Sequence, residues 1–319
     1  MRVTVTAYAR LHLGFLNLSP DLGWTHGSLG VGLDRPRTRV SATSADDLTV
    51  TGEHAGRIRR YAEHLAAVLG RTWQARLTVE EAIPEHSGLG SGTQWALTVG
   101  TALLRLHGLE TGPRELAKIM GRGLRSGIGV ASFESGGFIL EAGHKNLPVG
   151  QPAPPSAVIL RRDFPADWRF VLVIAEAPAG LSGQAESQAF ASLGETRAVT
   201  DMICRIVQLR LLPALVEGDI EAFGQAMSEV DRQTGLLFYE AQGGVYRDAA
   251  GRIVETLLEA GAYGAGQSSW GPCLYALVDE ANEEKVLNAA WSFMIKTGNA
   301  GQVFVAKARN AGADILVEG

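Results

Sequence analysis

Residues 83–106 read IPEHSGLGSGTQWALTVGTALLRL, a cluster of small residues running straight into a long apolar stretch. This junction constrains the fold more than any other feature of the chain. Pro84 ends an upstream strand or helix, because its ring fixes φ and removes the amide donor. Gly88, Gly90 and Gly92 permit positive φ and a close backbone approach to a partner. From Thr93 on, Ala96, Leu97, Val99, Ala102, Leu103, Leu104 and Leu106 make an element apolar on most sides, which predicts a buried helix. Ser91 or Thr93 is placed to cap it. A helix that opens in such a loop offers free amides and the positive end of its dipole to an anion, above all a phosphate. The same pattern also suits a tight turn that binds nothing.

With 319 residues, 46% of them hydrophobic and 20% charged, the chain has material for two globular domains. Its net charge of −5 provides no basic field to attract nucleic acid or a membrane surface. No run of about 20 apolar residues offers a membrane span. The N-terminal MRVTVTAYARLHLG alternates with period two and reads as a strand rather than a signal peptide. Cys204 and Cys273 lie in apolar contexts and read as buried thiols. A cytoplasmic location is the expectation. His54, His64, His107 and His144 show no metal-ligand pairing.

Strands are predicted over 3–8, 29–33, 39–42 and 75–79, and a helix over 55–69, where apolar residues repeat at helical spacing. A short helix fits 114–120, and 121–143 is again rich in glycine and serine. The segment NLPVGQPAPPSA at 146–157 reads as a linker, which divides the chain into 1–155 and 156–319. Beyond it come a strand at 168–178, helices at 197–217, 220–230 and 245–260, a glycine–serine loop feeding a strand at 261–278, a helix at 282–297, and strands at 302–306 and 314–317. That order suits an α+β sandwich with helices on one face of a sheet.

Three segments, ARLHLGFLNL (9–18), PEHSGLGSGTQ (84–94) and GAYGAGQSSWG (261–271), resemble in order and spacing the three motifs of the GHMP kinase superfamily, which includes galactokinase, homoserine kinase and mevalonate kinase. The resemblance implies an N-terminal domain like domain 2 of ribosomal protein S5 and a ferredoxin-like C-terminal sandwich. Pro84, Gly88, Leu89, Gly90 and Ser91 match the central motif, whereas Gly92 replaces its second serine. The segment SGIGVASFESGG matches at Ser126, Gly127, Gly136 and Gly137 but has Gly129 where mevalonate kinase-like members carry a catalytic aspartate. Gln267, Ser268, Ser269 and Trp270 replace the usual glycine-rich third loop.

Those departures resemble one branch, the β-ribofuranosylaminobenzene 5′-phosphate synthases of methanopterin-type cofactor biosynthesis. The branch implies phosphoribosyl pyrophosphate and 4-aminobenzoate or 4-hydroxybenzoate as substrates, CO₂ and pyrophosphate as products, Mg²⁺, a homodimer, and no need for ATP or pyridoxal phosphate. Its chemistry deprotonates no hydroxyl nucleophile, so the missing aspartate is no defect. It does need a phosphate cradle, for which the backbone over Ser87, Gly88, Leu89, Gly90, Ser91, Gly92 and Thr93 is the candidate, with the Ser91 or Thr93 hydroxyl as a magnesium contact. It also needs cations for the departing pyrophosphate, for which Arg10, His12, His86, Arg122 and Arg125 are candidates. Ser126, His26 and 267–270 are expected in the substrate pocket. Trp270 or Trp95 could wall an aromatic slot, and Glu134 is a candidate cation-stabilising carboxylate.

Plainer readings stand beside these. Arg10 and His12 share a strand face that can be solvated, Arg125 can be an ordinary helix-end charge, and His26 an ordinary loop residue. Trp95 sits where a helix packs into a core, and Glu134 can be a structural carboxylate. The RIRR at 57–60 reads as a solvated helix face. Two other functions remain open to the sequence: an ATP-dependent small-molecule kinase, and a non-catalytic binder of a phosphorylated metabolite.

Overall fold

The computed structural model describes residues 1–146, 155–177, 183–247 and 250–319. Its elements in chain order are β1 (Arg2–Asn17), β2 (Trp24–Thr25), β3 (Gly27–Ser44), β4 (Thr49–Thr51), α1 (Ala55–Leu69), β5 (Ala75–Glu81), α2 (Ser91–Leu106), α3 (Pro113–Ile119), α4 (Ile128–Ser135), β6 (Phe138–Glu141), β7 (His144–Lys145) and β8 (Val158–Arg162). There follow β9 (Arg169–Ile174), α5 (Gly183–Ala191), α6 (Arg197–Ile206), a π-helical turn (Val207–Leu211), α7 (Leu212–Glu217), α8 (Ile220–Leu237), α9 (Tyr239–Gln242), α10 (Ala250–Glu259), β10 (Gly264–Gln267), β11 (Cys273–Val278), α11 (Glu283–Thr297), β12 (Gln302–Lys307) and β13 (Asp314–Glu318).

The first sheet runs β13-β1-β3-β5-β4, with β6 paired to β3 and β8 to β6. The second runs β10-β11-β9-β12 with all neighbours antiparallel, the order of a ferredoxin-like sandwich. The α+β fold expected from the sequence is therefore present. The two predicted strands at 29–33 and 39–42 are parts of the single strand β3, whose two ends serve different partners, β6 and β5. Glycine and serine content hid α4 inside 121–143. The helix expected at 245–260 is described only from Ala250.

A boundary at 155/156 does not separate the two sheets. β8 and β13 lie beyond it in the chain, yet both belong to the first sheet. Residues 147–154 of the expected linker lie outside the described residues. The core explains the sharing. Alternate residues of β1 are fully buried from Val3 to Leu13, but Val3, Val5 and Ala7 pack under α1 and α2, whereas Ala9, Leu11 and Leu13 join Phe170, Leu172, Phe223 and Tyr275 of the second half. One strand thus carries one apolar face through two cores. α10 and α11 cover the far face of the second sheet through Val254, Leu257, Val286 and Ala290.

Candidate active site

The glycine loop is held from three sides. Leu89 is fully buried in the shared core, and its carbonyl accepts from the Arg10 amide at 3.2 Å. Gly88 and Gly90 have φ of 85° and 82°, which only glycine adopts freely. A Cβ on Gly88 would lie 2.3 Å from the Ser268 carbonyl. The Ser87 carbonyl accepts from the Cys273 amide at 3.0 Å, and the Ser87 hydroxyl donates to the Pro84 carbonyl at 2.8 Å. Ser87 is therefore a brace. α2 opens on Gly90 with no side-chain cap, so the expected cap from Ser91 or Thr93 is not made. A left-handed glycine turns the chain into the helix, and the first turn stays open to an anion.

Arg10 lies under this turn. Its guanidinium carbon is 3.2 Å from where a Gly90 Cβ would stand, and Nη1 donates to the Gly88 carbonyl at 2.5 Å. Part of the residue reaches solvent, but Nε is enclosed and unpaired. Burial pulls its pKa down to about 10, so it is still cationic at neutral pH. On the far side of the turn, Arg57 and Arg122 flank Tyr61 and reach to 3.3 and 3.6 Å of the Gly92 Cβ position. The Tyr61 hydroxyl accepts from Arg122 at 2.8 Å and donates to the Gly92 carbonyl at 3.3 Å. Arg57 corrects the reading of 57–60 as a solvated face: it is paired with Glu85 at 2.8 Å, beside the loop. The helical period that buries Ile58 and Tyr61 also turns Arg57 inward, a signal that the charge run concealed.

His12, next to Arg10 on β1, is 4% exposed. Burial, with the Arg10 charge adding, holds its pKa down to about 3, which corrects its expected role as a cation. Its amide donates to the Ser268 hydroxyl at 3.1 Å, and that hydroxyl donates to the Gly88 carbonyl at 2.9 Å. Ser268 thereby joins all three glycine-rich segments.

Beyond His12 opens a narrow pocket, about 30 Å³ of free cavity volume, lined by His12, Phe15, Asp231, Phe238, Tyr246 and Trp270, among others. Its aromatic rings are in mutual contact, Phe238–Trp270 at 4.7 Å and His12–Phe15 at 4.8 Å between centroids, and Phe190 of α5 packs on Phe238 at 5.1 Å from outside the lining. The Trp270 indole donates to Glu186 of α5 at 3.1 Å, and Arg125 pairs with the same carboxylate while lying over Phe190. Arg125 is thus a partner of α5, and no contact among the described residues brings it to the glycine loop. Gln267 lines the pocket, but its amide group is engaged with Arg247, Gln242 and Ser269. Asp231, which sequence reasoning missed, accepts from the Gln267 amide at 3.0 Å. Burial pushes its carboxyl up to about 8. An acid beside Val230 on a buried helical stripe is the sequence signal that could have found it.

Other candidates fall elsewhere. Glu134 is exposed on α4 and paired with Arg114 at 2.9 Å, which removes it from the site. Trp95 is fully buried in the core under α1 and α2. Ser126 bonds Ser28 at 2.9 Å beside Glu141, whose two oxygens accept from the Gly127 amide, so it serves the start of α4. His26 packs against Phe190 at 5.2 Å, behind the pocket, with its pKa lowered by burial to about 4. His86 is exposed at φ 53°. Ser269, at φ 57°, lines the pocket. Gly129 packs on Thr93, its Cβ position 3.2 Å from Thr93 Cβ and Cγ2, and its carbonyl accepts from Gln94 at 2.8 Å. A side chain at 129 would need Thr93 to give by a few tenths of an ångström. Among the described residues no group of three or more His, Cys, Asp or Glu side chains could hold a metal. Ser91 and Thr93 contribute hydroxyls only, and the nearby Glu85 is committed to Arg57. This donor set does not fit a resident Mg²⁺.

The chain matches known proteins in fold and in sequence. Residues 57–137 match the family model for the GHMP kinases N terminal domain, and 211–296 that for GHMP kinases C terminal. Galactokinase from Lactococcus lactis superposes with a TM-score of 0.70 at 15% identity, covering 98% of this chain and 95% of its own. Homoserine kinase from Cytophaga hutchinsonii superposes at 0.69 and 18%, covering 99% and 97%. The fold is that of the GHMP kinases. In sequence, a β-ribofuranosylphenol 5′-phosphate synthase of Methanothermobacter thermautotrophicus is 34% identical over 99% of both chains, and one of Archaeoglobus fulgidus 33% identical over 97% of this chain and 98% of its own. A homoserine kinase of Pyrobaculum islandicum is 26% identical over 78% of this chain. The chain belongs to the β-ribofuranosylphenol 5′-phosphate synthase family.

Proposed function

We propose that the protein joins phosphoribosyl pyrophosphate to a 4-substituted benzoate, forming a C–C glycosidic bond with loss of CO₂ and pyrophosphate. One observation carries the reading: a cationic phosphate loop and an aromatic pocket meet at His12 and Ser268. The open turn of α2 and the Arg10 guanidinium bind phosphate oxygens, and Arg57 and Arg122 stand where charge builds on departing pyrophosphate. Arginine suits this because its planar fork meets two oxygens at once. Magnesium enters with the substrate, as its pyrophosphate salt. The benzoate ring enters among Phe15, Phe238 and Trp270, whose side chains part to admit it, and its carboxyl-bearing carbon attacks C1 of the ribose as the pyrophosphate bond breaks. Loss of CO₂ then restores aromaticity. Neutral, buried His12 excludes water at the junction and leaves no stray base there.

A kinase reading lacks its base, since position 129 carries glycine. The relatives' name specifies a phenol, which favours 4-hydroxybenzoate over 4-aminobenzoate as acceptor here. A cytoplasmic homodimer completes the proposal, and light scattering of the purified chain tests the dimer. The deciding assay supplies phosphoribosyl pyrophosphate, Mg²⁺ and either carboxyl-labelled benzoate, with ATP and candidate alcohols as control. Release of labelled CO₂ dependent on phosphoribosyl pyrophosphate is expected. ATP consumption without CO₂ release would sink the reading.

A further inference from the structure

Asp231 is 6% exposed on α8, one residue beyond Val230 of the stripe that enters the shared core. The groups that surround its carboxyl are neutral: the Gln267 backbone amide donates to it at 3.0 Å, and the Tyr246 and Tyr275 hydroxyls stand close by. The fit is tight, since a Cβ on Gly266 would stand 2.5 Å from its Oδ2. A buried acid without a countercharge costs free energy. An asparagine would satisfy the Gln267 amide at lower cost, so packing alone does not call for a carboxyl. Asp231 lines the aromatic pocket on the α8 side, whereas His12 and Ser268 stand on the side of the phosphate loop.

We propose that Asp231 binds the para substituent of the benzoate and accepts its proton as the new C–C bond forms. The inference rests on the function proposed above. With its carboxyl-bearing carbon toward His12 and the loop, the acceptor turns its para group toward α8. Electrons of that ring carbon form the bond to ribose C1 while the bond to pyrophosphate breaks. The para hydroxyl or amino group passes its proton to the Asp231 carboxylate, leaving a neutral dienone or imine that still bears the carboxylate. The bond to CO₂ then breaks, its electron pair returns to the ring, and the para oxygen or nitrogen takes its proton back from Asp231. No oxidant or further reactant is required. With its pKa held up to about 8 by burial, the carboxyl is a strong enough base for this exchange in its ionised form, whose share grows as pH rises toward 8, so turnover should rise with pH through that range.

The test compares wild type, Asp231→Asn and Asp231→Ala, each checked by thermal melting. Asp231→Asn should lower kcat by about 10²-fold or more, with the KM for phosphoribosyl pyrophosphate within about twofold, because the phosphate site lies on the other side of His12. Calorimetric titration should give wild type about a tenfold preference for 4-hydroxybenzoate over unsubstituted benzoate. In Asp231→Ala that ratio should fall close to unity, which a merely structural role would not bring about. An Asp231→Asn kcat within threefold of wild type, or an unchanged ratio in Asp231→Ala, overturns the proposal while leaving the function intact. If neither variant folds, wild type decides: 4-dimethylaminobenzoate has no para proton to give, and turnover equal to that of 4-aminobenzoate overturns the proposal. No CO₂ from wild type with either benzoate removes the function and this inference together.

Discussion

Arg10 and Asp231 show how burial changes what a side chain can do. Arg10 keeps its charge under the glycine turn, with one nitrogen on the Gly88 carbonyl and Nε unpaired. Arg10→Ala should lower kcat/KM for phosphoribosyl pyrophosphate by about 10²–10³-fold. Arg10→Lys should stay at least about tenfold down, because an ammonium cannot fork. Steady-state kinetics at varied phosphoribosyl pyrophosphate reads both. Asp231 titrates in the unfolded chain near its ordinary 3.8 but in the fold at about 8. Between those values the folded state holds a proton the unfolded state has lost, so this residue's contribution to stability falls as pH rises from about 4 to 8. The groups facing it, Tyr246, Tyr275 and the Gln267 amide, are uncharged through that window. Asp231→Asn should therefore raise the melting temperature at pH 8 by about 3 °C or more and change it little at pH 4. An equal shift at both pH values would contradict the assignment.

At the scale of elements, α2, α4 and α5 divide the work. α4 packs against α2 through Gly129 on Thr93, a contact that any side chain at 129 would tighten. Gly129→Asp should cost about 1 kcal/mol or more through overpacking, and it should produce no ATP-dependent activity on any alcohol tested. Melting curves and a coupled ATP assay measure the two outcomes. α5 closes the aromatic pocket from outside, because Glu186 accepts from Trp270 and pairs with Arg125. Glu186→Ala should raise the KM for the benzoate several-fold and leave that for phosphoribosyl pyrophosphate unchanged, since α5 has no contact with the glycine loop among the described residues. Equal rises in both KM values would place α5 at the phosphate site instead.

For the whole molecule, the two halves share one core. Ala9, Leu11 and Leu13 of β1 pack with Phe170, Leu172 and Phe223, and β13 returns across the chain to pair with β1 from Arg2 to Thr6. Calorimetry should show a single unfolding transition, whereas a boundary at 155/156 would give two. Removing 314–319 should lower the melting temperature of the whole protein, since it strips the edge from β1 rather than trimming a tail. An unchanged midpoint would show that β13 adds nothing to the shared unit.

Local pattern alone determined a good deal. Alternation in β1, the helical spacing of Ile58, Tyr61 and Leu65, and the glycine turn before an apolar helix were each readable because they depend on neighbours within a turn or a strand pair. So were the three motifs and the missing acid at Gly129, which are matters of residue identity at known spacing. Tertiary structure decided what lies across space. It paired Arg57 with Glu85 at the loop, set Glu134 outside against Arg114, left His12 neutral, and carried Asp231 from α8 to the aromatic pocket. Those outcomes depend on desolvation and on contacts between residues far apart in the chain, such as His12 with Ser268, and no local periodicity records them.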